Sequence, residues 1–502
     1  MPKINLKNAP LLAAVIPLMA GIAIFDLLPR PFPAAFWICS AVIIVATILA
    51  DVLLKRTLPL VAAGFLFLGI AAAWIDHREP DIPAGQRLRF VSRVETAPVV
   101  KGRWQNTQSQ ILAYKDTILG WQPTGDKTLL SVDTSQKVAV GQTLAYEARL
   151  YPIDSSYGRY MAVKGVYSRS YAYRVEVLGG DTIPMERIDI SRHILAGKLN
   201  AIDSSGLAAA LTLDDKRTLD RELRKDYSRT GAAHLLTVSG LHVGIIFTIL
   251  NIILGWLRIY RRGLIVVGCL VIVILWGYAL MTGMSPPVLR AVIMFTLFQI
   301  GIMASRTGSS LNILAASALF ILLCDPSNLF DISFQMSYTA MVGITTLYRP
   351  LYSLFDPKSW PLRWLWGLTA VTIAAQIGVM PLVVYYFGQL QLAGVFINPI
   401  VWFTVPVIIV GGFAFLAVGW DWIGSVVGWT SGLQNFIISW TASHKWIAIE
   451  GIHMPQWALW VTYAVIVAVI IIVDRSQRRR HKTISSYFLW VKNSILFFCG
   501  QN

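Results

Sequence analysis

Long apolar runs alternate with polar segments along the chain, and their lengths predict where helices cross a membrane. A bilayer core about 30 Å thick requires about 20 apolar residues in helical form. Such runs occur at Pro10–Leu28, Ala34–Leu54, Leu58–Ile75, Leu235–Trp256, Gly263–Met281, Pro287–Met303, Leu311–Cys324, Phe334–Leu347, Leu368–Tyr386, Val395–Val418, Ser425–Trp440 and Ala458–Val473. They predict a polytopic α-helical membrane protein with about 12 spans. Gly21, Gly64 and Gly69 are the predicted helix-contact points within the first and third runs.

A polar segment follows the third run, and its pattern predicts a small β domain over residues 78–181. Turn formers, such as Gly102 and Gly141, separate short runs of β type. These runs are Arg87–Val94, Gln110–Tyr114, Thr128–Val132, Thr143–Leu150 and Tyr160–Val177. Roughly five strands in about 100 residues fit a closed β-barrel. The spacing then becomes helical, with Leu219, Leu223 and Tyr227 recurring on one apolar face, which predicts amphipathic connecting helices over residues 182–230.

The distribution of lysine and arginine predicts the orientation in the membrane. If the N-terminus is cytoplasmic, the inner loops hold most of the basic residues, as the positive-inside rule requires. Both termini are then cytoplasmic and the β domain is extracytoplasmic. The predicted organisation is N-terminal transmembrane helices over 1–77, the β domain over 78–181, connecting helices over 182–230, a transmembrane channel domain over 231–474 and a basic, interfacial tail over 475–502.

Composition narrows the class of protein further. The 502 residues are 55% hydrophobic with a formal net charge of +16, which excludes a soluble globular protein. The four cysteines are scattered singly, so they predict neither a disulfide framework nor a zinc site. A second apolar run follows the first closely, so we interpret the first as a retained span rather than a cleaved signal.

Ionisable and polar residues inside the apolar runs are the candidate functional groups. The stretch Arg229–Gly244, RTGAAHLLTVSGLHVG, holds His234, Ser239 and His242 at the entry to a predicted span. Polar groups at that depth are energetically costly, so they indicate a packed bundle interior or a water-filled path. Four further candidates lie in later runs: Arg290, Gln335, Gln376 and Asn398.

The same later runs indicate broken helices around a polar interior. Pro381, Pro399 and Pro406 interrupt the runs that hold Gln376 and Asn398, and broken helices at membrane depth line cavities or substrate paths. Arg290 fits either a structural salt bridge or a counter-charge for a phosphate backbone. Asp331 has the position of a helix N-cap. Together these residues predict a conduction or substrate path.

Enzymatic signatures are not found in the sequence. Thr237 replaces the glycine expected two residues before a nucleophilic serine, so Ser239 lacks the nucleophile elbow. His234 and His242 are eight residues apart without an intervening glutamate, which does not match a zinc helix. No GxxxxGK[ST] sequence occurs. We therefore expect no enzyme activity, no metal and no cofactor.

The segment His234–Gly244 resembles the signature of the ComEC-type competence proteins, the inner-membrane channels of bacterial DNA uptake. Further matches follow in that family's order: Gly283 and Ser285 before Arg290-Ala291, Asp325-Pro326 before Phe334–Tyr338, Gln376 with Pro381, and Asn398-Pro399 with Pro406. The resemblance covers about Leu211–Val410. It implies a channel that passes single-stranded DNA into the cytoplasm during natural transformation, with His234, Ser239, His242, Arg290, Gln335, Gln376 and Asn398 along the DNA path.

The resemblance also implies partners and a role for the outer domain. A periplasmic DNA receptor would supply the strand, a cytosolic helicase-like motor would supply energy, and the outer domain would be OB-like. Many family members have a metallo-β-lactamase-like domain, whereas this chain reaches Asn502 without such a ligand set, so we expect the form that lacks it. The oligomeric state is left open.

Basic and aromatic residues interleave in the outer domain and are candidate DNA contacts. They are Arg159, Tyr160, Arg169, Tyr171 and Arg174. Single-strand sites combine positive grooves with stacking aromatics, but alternate tyrosines could equally face the barrel core. Residues 78–229 hold 23 basic and 18 acidic residues, a mildly attractive balance for a polyanion. The rival functions are a small-solute membrane transporter and, third, an intramembrane or periplasm-facing hydrolase.

Overall fold

The computed structural model describes residues 10–27, 57–76, 82, 85–96, 98–116, 120–136, 138–153, 161, 165–179, 184–304, 309–444, 447–470 and 472. The chain divides into two compact units. The first unit comprises Met1–Gly197 and Val243–Gln335, and the second comprises Lys198–His242 and Met336–Asn502. The predicted span Ala34–Leu54, the tail after residue 474 and the candidate contacts Arg159 and Tyr160 lie outside the described residues.

The helices and strands follow one another in three blocks. Two helices and then eight strands come first: α1 (Leu12–Leu27), α2 (Thr57–Asp76), β1 (Arg87–Val94), β2 (Val99–Lys101), β3 (Trp104–Asp116), β4 (Gly120–Pro123), β5 (Lys127–Asp133), β6 (Thr143–Pro152), β7 (Val166–Ala172) and β8 (Val175–Gly179). The connecting helices are α3 (Pro184–Ile202), α4 (Leu207–Leu213) and α5 (Arg221–Arg229). The remaining elements are α6 (Gly240–Ile253), α7 (Gly263–Met281), α8 (Pro286–Met303), α9 (Ser310–Cys324), α10 (Ile332–Tyr352), α11 (Trp360–Phe387), β9 (Gln389–Gln391), α12 (Gly394–Val418), α13 (Asp421–Ala442), β10 (Ala448–Glu450) and α14 (Gln456–Ile470).

Two glycines bring α1 and α2 of the first unit into backbone contact. A Cβ at Gly21 would lie 2.0 Å from the carbonyl oxygen of Leu66, and one at Gly69 would lie 2.2 Å from that of Leu18. Only glycine fits at such a crossing, which is the small-residue packing typical of membrane helices. At Gly64, the third glycine predicted to make a helix contact, no described residue lies within 4 Å of the Cβ position.

The β domain is a closed barrel of five strands in the order β1-β3-β5-β7-β6, with β6 pairing back to β1. The pair β5–β7 is parallel and the other pairs of the ring are antiparallel. Alternate side chains, including Phe90, Ile111, Leu130 and Leu144, fill the interior, as the two-residue period of a strand requires. The predicted run Tyr160–Val177 requires correction, because two strands, β7 and β8, occupy its described part.

In the described part of the chain, four helices are long and apolar enough to cross a membrane: α7, α8, α11 and α12. Shorter apolar helices are α1, the middle of α2, α6, α9 and α14. The count of about 12 spans is therefore not confirmed. The run predicted as a span at Ser425–Trp440 lies within α13, which begins at Asp421. Its buried face is apolar at both ends and polar in the middle, at Thr430, Ser431 and Gln434.

Glycines also set the helix crossings of the second unit. A Cβ at Gly343 of α10 would lie 2.4 Å from the carbonyl oxygen of Ala374, and one at Gly378 of α11 would lie 2.3 Å from that of Thr339. The Tyr463 hydroxyl of α14 donates to the Gly378 carbonyl at 3.0 Å. The sequence did not predict the short antiparallel pair β9–β10. Its first strand follows α11 and its second follows α13.

Candidate functional site

A chain of hydrogen bonds fixes α5 to the second unit just before the HLLTVSGLHVG segment. Tyr227 is fully buried, and its hydroxyl donates to Asn435 Oδ1 at 3.0 Å and accepts from Gln434 Nε2 at 3.0 Å. The Thr404 hydroxyl donates to Gln434 Oε1 at 2.7 Å. Burial raises the pKa of the Tyr227 hydroxyl, so it remains a donor at all physiological pH values. The sequence placed Tyr227 on an apolar helical face but gave no signal of its partners on α12 and α13.

Two further contacts hold the same segment. The Ser439 hydroxyl donates to Asp226 Oδ2 at 2.7 Å, and Gln391 Nε2 donates to the Ser228 carbonyl at 2.8 Å. Gly231 follows with φ +79°, a left-handed conformation that glycine adopts at little cost, and a Cβ there would press on Gln391. The end of α5 is therefore fixed both by side chains and by a glycine turn.

His234 lies in a single 3₁₀ turn, Ala233–Leu235, directly after this glycine. Its Nδ1 lies 3.1 Å from the Gly231 carbonyl, and the side chain is exposed. His242, by contrast, is fully buried at the start of α6. The two histidines of the predicted path thus have different environments within the same unit.

Ser239 and His242 interact with each other around the first turn of α6. The Ser239 hydroxyl lies 3.0 Å from His242 Nδ1 and accepts from the Leu241 N–H at 3.3 Å, while the Ser239 N–H donates to His242 Nδ1 at 3.2 Å. A serine that accepts a helix N–H in this way is an N-cap.

Lys216 and Asp214 support the residues immediately before Ser239. The Lys216 ammonium group lies 2.9 Å from Asp214 Oδ1 and donates to the Thr237 hydroxyl at 3.0 Å. Asp214 Oδ1 also accepts from the Val238 N–H at 3.2 Å. These contacts tie the middle of the signature segment to the residues that follow α4, a helix whose seven residues are all buried.

Gln376 and Asn398 converge on α12. A Cβ at Gly394 would lie 2.5 Å from Gln376 Nε2 and 3.7 Å from Asn398 Nδ2, so this glycine makes room for both amides. Asn398 Oδ1 is buried and has no hydrogen-bond partner within the described part of the chain. Pro399 follows directly inside α12, and its missing N–H weakens the helix there. Two of the predicted path residues therefore share one polar position in the second unit.

Arg290 and Gln335 lie in the first unit. Arg290 is 3% exposed, and its Nη2 donates to the Ser333 carbonyl at 2.9 Å and to the Ser333 hydroxyl at 2.6 Å. Gln335 Nε2 donates to the Leu329 carbonyl at 3.0 Å. Asp331 accepts from the Phe334 N–H at 2.9 Å, which is the N-cap that its sequence position predicted.

An aromatic patch with two arginines lies on the barrel surface, and we call it the Trp104 patch. Its rings belong to Trp104, Tyr151, Tyr171 and Tyr173, with centroid distances of 5.3 Å from Trp104 to Tyr171 and 5.1 Å from Trp104 to Tyr173. Arg103 lies over the Tyr173 ring and Arg169 over the Tyr171 ring, at 5.9 Å and 5.0 Å. The patch therefore combines four aromatic rings with two guanidinium groups that lie over ring faces.

The Trp104 patch resolves the alternative left open for the tyrosines. Tyr173 is 63% exposed, and Tyr171 is partly exposed, whereas Ser170 and Ala172 between and beside them are fully buried. The two tyrosines therefore face outward and not into the barrel core. Arg174 is exposed between β7 and β8. Trp104, which the sequence did not single out, is the centre of the patch.

An ion pair fixes one edge of the patch. Arg103 Nε lies 2.7 Å from Asp133 Oδ2 at the end of β5. The pKa of the Asp133 carboxyl is lowered to about 2, first by the hydrogen bond from the Ser135 N–H and then by that from Arg103. The carboxylate is therefore ionised throughout the physiological range and holds the guanidinium beside Tyr173.

The chain resembles known proteins over its second half. Residues 211–479, more than half of the 502, match the profile of a family described as "Competence protein". ComE operon protein 3 of Bacillus subtilis (strain 168) is 30% identical over 213 residues, which are 42% of this chain and 26% of that protein. Recombination protein 2 of Haemophilus influenzae (strain ATCC 51907 / DSM 11121 / KW20 / Rd) is 30% identical over 207 residues, 38% of this chain and 26% of that protein.

An uncharacterized protein of Aquifex aeolicus (strain VF5) is 32% identical over 136 residues, 27% of this chain and 31% of that protein. The aligned region is thus only about a quarter of the first two relatives. No solved structure matches the chain.

Proposed function

Because the chain belongs to the Competence protein family, we propose that it passes single-stranded DNA across the bacterial inner membrane during natural transformation. The names of two relatives refer to a competence operon and to recombination, and taken-up DNA is the material that connects the two. The matched residues 211–479 contain all seven candidate path residues, from His234 to Asn398. The proposal includes no catalytic step in this chain.

The observation that carries the proposal is the Trp104 patch. Proteins that bind single-stranded nucleic acid without sequence preference stack the bases on aromatic rings beside basic side chains. The Trp104 patch supplies aromatic rings and basic side chains together. The barrel order β1-β3-β5-β7-β6 with a parallel β5–β7 pair supports an OB-like fold. Its second and third ring strands, β3 and β5, correspond to the face on which OB folds bind oligonucleotides. Trp104 begins β3, so the patch lies at the end of that face.

Polar groups on the apolar helices support a path for the strand. A nucleic acid carries a negative charge at each phosphate, so the lining of a membrane path must supply donors or positive charge. Gln376 and Asn398 supply amide donors at one position of the second unit, and Arg290 supplies a buried cation in the first. Pro399 and Pro406 interrupt α12, as expected where backbone lines a cavity.

The orientation and the partners complete the proposal. The positive-inside rule supports cytoplasmic termini and a β domain on the opposite side of the inner membrane. A DNA receptor in the periplasm delivers the strand to the Trp104 patch, and a cytosolic helicase-like motor draws it inward, since the sequence has no nucleotide-binding loop of the GxxxxGK[ST] type.

The experiment compares patch variants of the full-length protein in nanodiscs for binding of a fluorescent oligothymidylate. Trp104→Ala and Tyr171→Ala should each weaken binding roughly tenfold, because stacking contributes about 1–3 kcal/mol per base. Trp121→Ala is the matched control, since Trp121 is also an exposed barrel aromatic but makes no ring contact with the patch. Binding should weaken with added salt.

Two outcomes would overturn the proposal. If the wild-type protein shows no oligonucleotide binding at low salt and its deletion leaves transformation unchanged, the chain has no role in DNA uptake. If proteoliposomes instead accumulate a small solute while excluding the oligonucleotide, the protein is a small-solute transporter and not a DNA channel.

A further inference from the structure

The first turn of α6 contains a capping box in which a histidine stands where glutamate or glutamine is usual. In a capping box the N-cap side chain binds an N–H of the first turn, and the third helical residue accepts from the N-cap N–H. Ser239 is the N-cap, and His242 is the third helical residue. The Ser239 N–H donates to His242 Nδ1 at 3.2 Å, which closes the box.

This geometry fixes the tautomer of His242. A backbone N–H can only donate, so Nδ1 must present its lone pair, and the neutral ring carries its proton on Nε2. The side chain is fully buried. No acceptor lies within hydrogen-bonding distance of Nε2 among the residues that the structure describes. A buried donor in this state requires an explanation, since nearly all such groups in native structures are paired.

The surroundings of His242 favour an anionic oxygen as the missing acceptor. Lys216 and His234 are the titratable groups close enough to influence His242. The Lys216 ammonium group is ion-paired with Asp214 and donates to the Thr237 hydroxyl, so it is fixed against the segment that carries His242. A phosphate oxygen suits the unpaired N–H, because an ionised acceptor makes a shorter and stronger hydrogen bond than a neutral one does.

We propose that His242 Nε2–H donates a hydrogen bond to a phosphodiester oxygen of the translocated strand, an inference that rests on the proposed function. Without the strand the donor is buried and unsatisfied. With the strand the donor is paired, so the strand-bound arrangement is stabilised relative to the strand-free one. Because the side chain is wholly buried, the strand reaches it only when the residues around it open. Ser239 is then a positioning residue, since it sets which nitrogen carries the proton.

Three substitutions at position 242 separate capping from donation. His242→Gln keeps an acceptor for the Ser239 N–H and a donor at the place of Nε2–H, so its uptake should fall least of the three. Nε2-methylhistidine, inserted by stop-codon suppression, keeps the acceptor but has a methyl group in place of the proton. His242→Leu removes both groups. We expect uptake of labelled DNA to fall roughly tenfold or more for the last two variants.

The contradicting pattern is equally specific. If the methylated variant takes up DNA like wild type while His242→Leu fails, His242 acts only as a cap and the inference is wrong. Amide exchange at Leu241 reports whether the first turn of α6 is intact in each variant. If the wild-type protein itself takes up no DNA, the proposed function is wrong. If only the pattern of the variants fails, the proposed function stands and the role of His242 is wrong.

A measurement on the wild-type protein covers the case in which the methyl group disrupts the site. Solid-state NMR of full-length protein with ¹⁵N-histidine in nanodiscs should show the His242 Nε2 resonance, identified by its loss in His242→Gln. Saturating oligothymidylate should shift it. No shift overturns the inference, and a shift with inorganic phosphate alone would assign the donor to free phosphate instead of the strand.

Discussion

The barrel and the second unit place their buried polar side chains in different structural contexts. In the barrel, the Thr128 hydroxyl donates to the Ser168 carbonyl at 3.1 Å and lies 3.4 Å from Ser170, on two strands that the backbone ladder already joins. In the second unit, Tyr227 and Gln434 are 207 residues apart. Helix backbones satisfy their own hydrogen bonds, so only side chains and close contacts join helices. Single replacements should therefore cost more between helices than inside the barrel.

The largest effect is expected at the crossing of α10 and α11. Gly378→Val places new carbon atoms against the Thr339 carbonyl and should lower the unfolding free energy by about 3 kcal/mol. Gly432→Val is the control, because nothing lies within 4 Å of its Cβ position. Fluorescence-detected size exclusion after a heating series measures the midpoint. Equal midpoints for the two variants would show that the crossing is not tightly packed.

The next effect is expected in the hydrogen-bond chain of α5. Tyr227→Phe leaves the buried Gln434 Nε2 and the partly buried Asn435 Oδ1 without their partner, which should cost about 1–3 kcal/mol. Tyr260→Phe is the control, because Tyr260 is 64% exposed. Adding Gln434→Leu to Tyr227→Phe should recover part of the loss. If the double variant is less stable by the sum of the two single effects, the residues do not interact.

A smaller effect is expected for the matched change inside the barrel. Thr128→Val removes one buried hydroxyl while keeping the shape of the side chain, and the strand pairing with β7 is unaffected. The expected loss is about 1 kcal/mol. Amide exchange of the β5 backbone in the full-length protein measures it. A loss as large as that of Tyr227→Phe would remove the difference between the two regions.

The smallest effect is expected at Asp133, because its contribution to stability does not change near neutral pH. Its folded pKa of about 2 lies below the unfolded value, so its contribution to stability is complete above about pH 4 and is lost as pH falls toward 2. The protection factor of the Ser135 N–H, which donates to Asp133 Oδ1 at 3.0 Å, should fall over that window. In Asp133→Asn the protection factor of the same N–H should hardly change there. An unchanged window in the variant would assign the effect to another carboxyl.

The barrel shows how far pattern predicts structure. Hydrophobic alternation located the whole of β1 and parts of β5, β6 and β7, but β3 was placed six residues too late at Gln110. Its early inward side chains are polar, Gln105, Thr107 and Ser109, so hydrophobicity does not alternate there. Trp104 was missed for the same reason.

In the helices, the 3.6-residue period gives the buried face of an element but not its partner. It indicated the inward face of α5 with Tyr227, but no local signal connects that residue with Asn435 on α13. Gln376 and Asn398 were predicted as polar path residues, and their convergence at Gly394 follows from the packing of α11 on α12. Small residues mark the possible crossings, yet Gly64 shows that a glycine alone does not select one.

The ring closure of the barrel has a consequence for biosynthesis. Every strand of the ring has been synthesised once Ala172 is added, while more than half of the 502 residues are still to be made. Since domains generally fold as units during synthesis, this one can close before the signature helix exists. An arrested nascent chain that ends shortly after α3 should therefore already resist protease over residues 87–172.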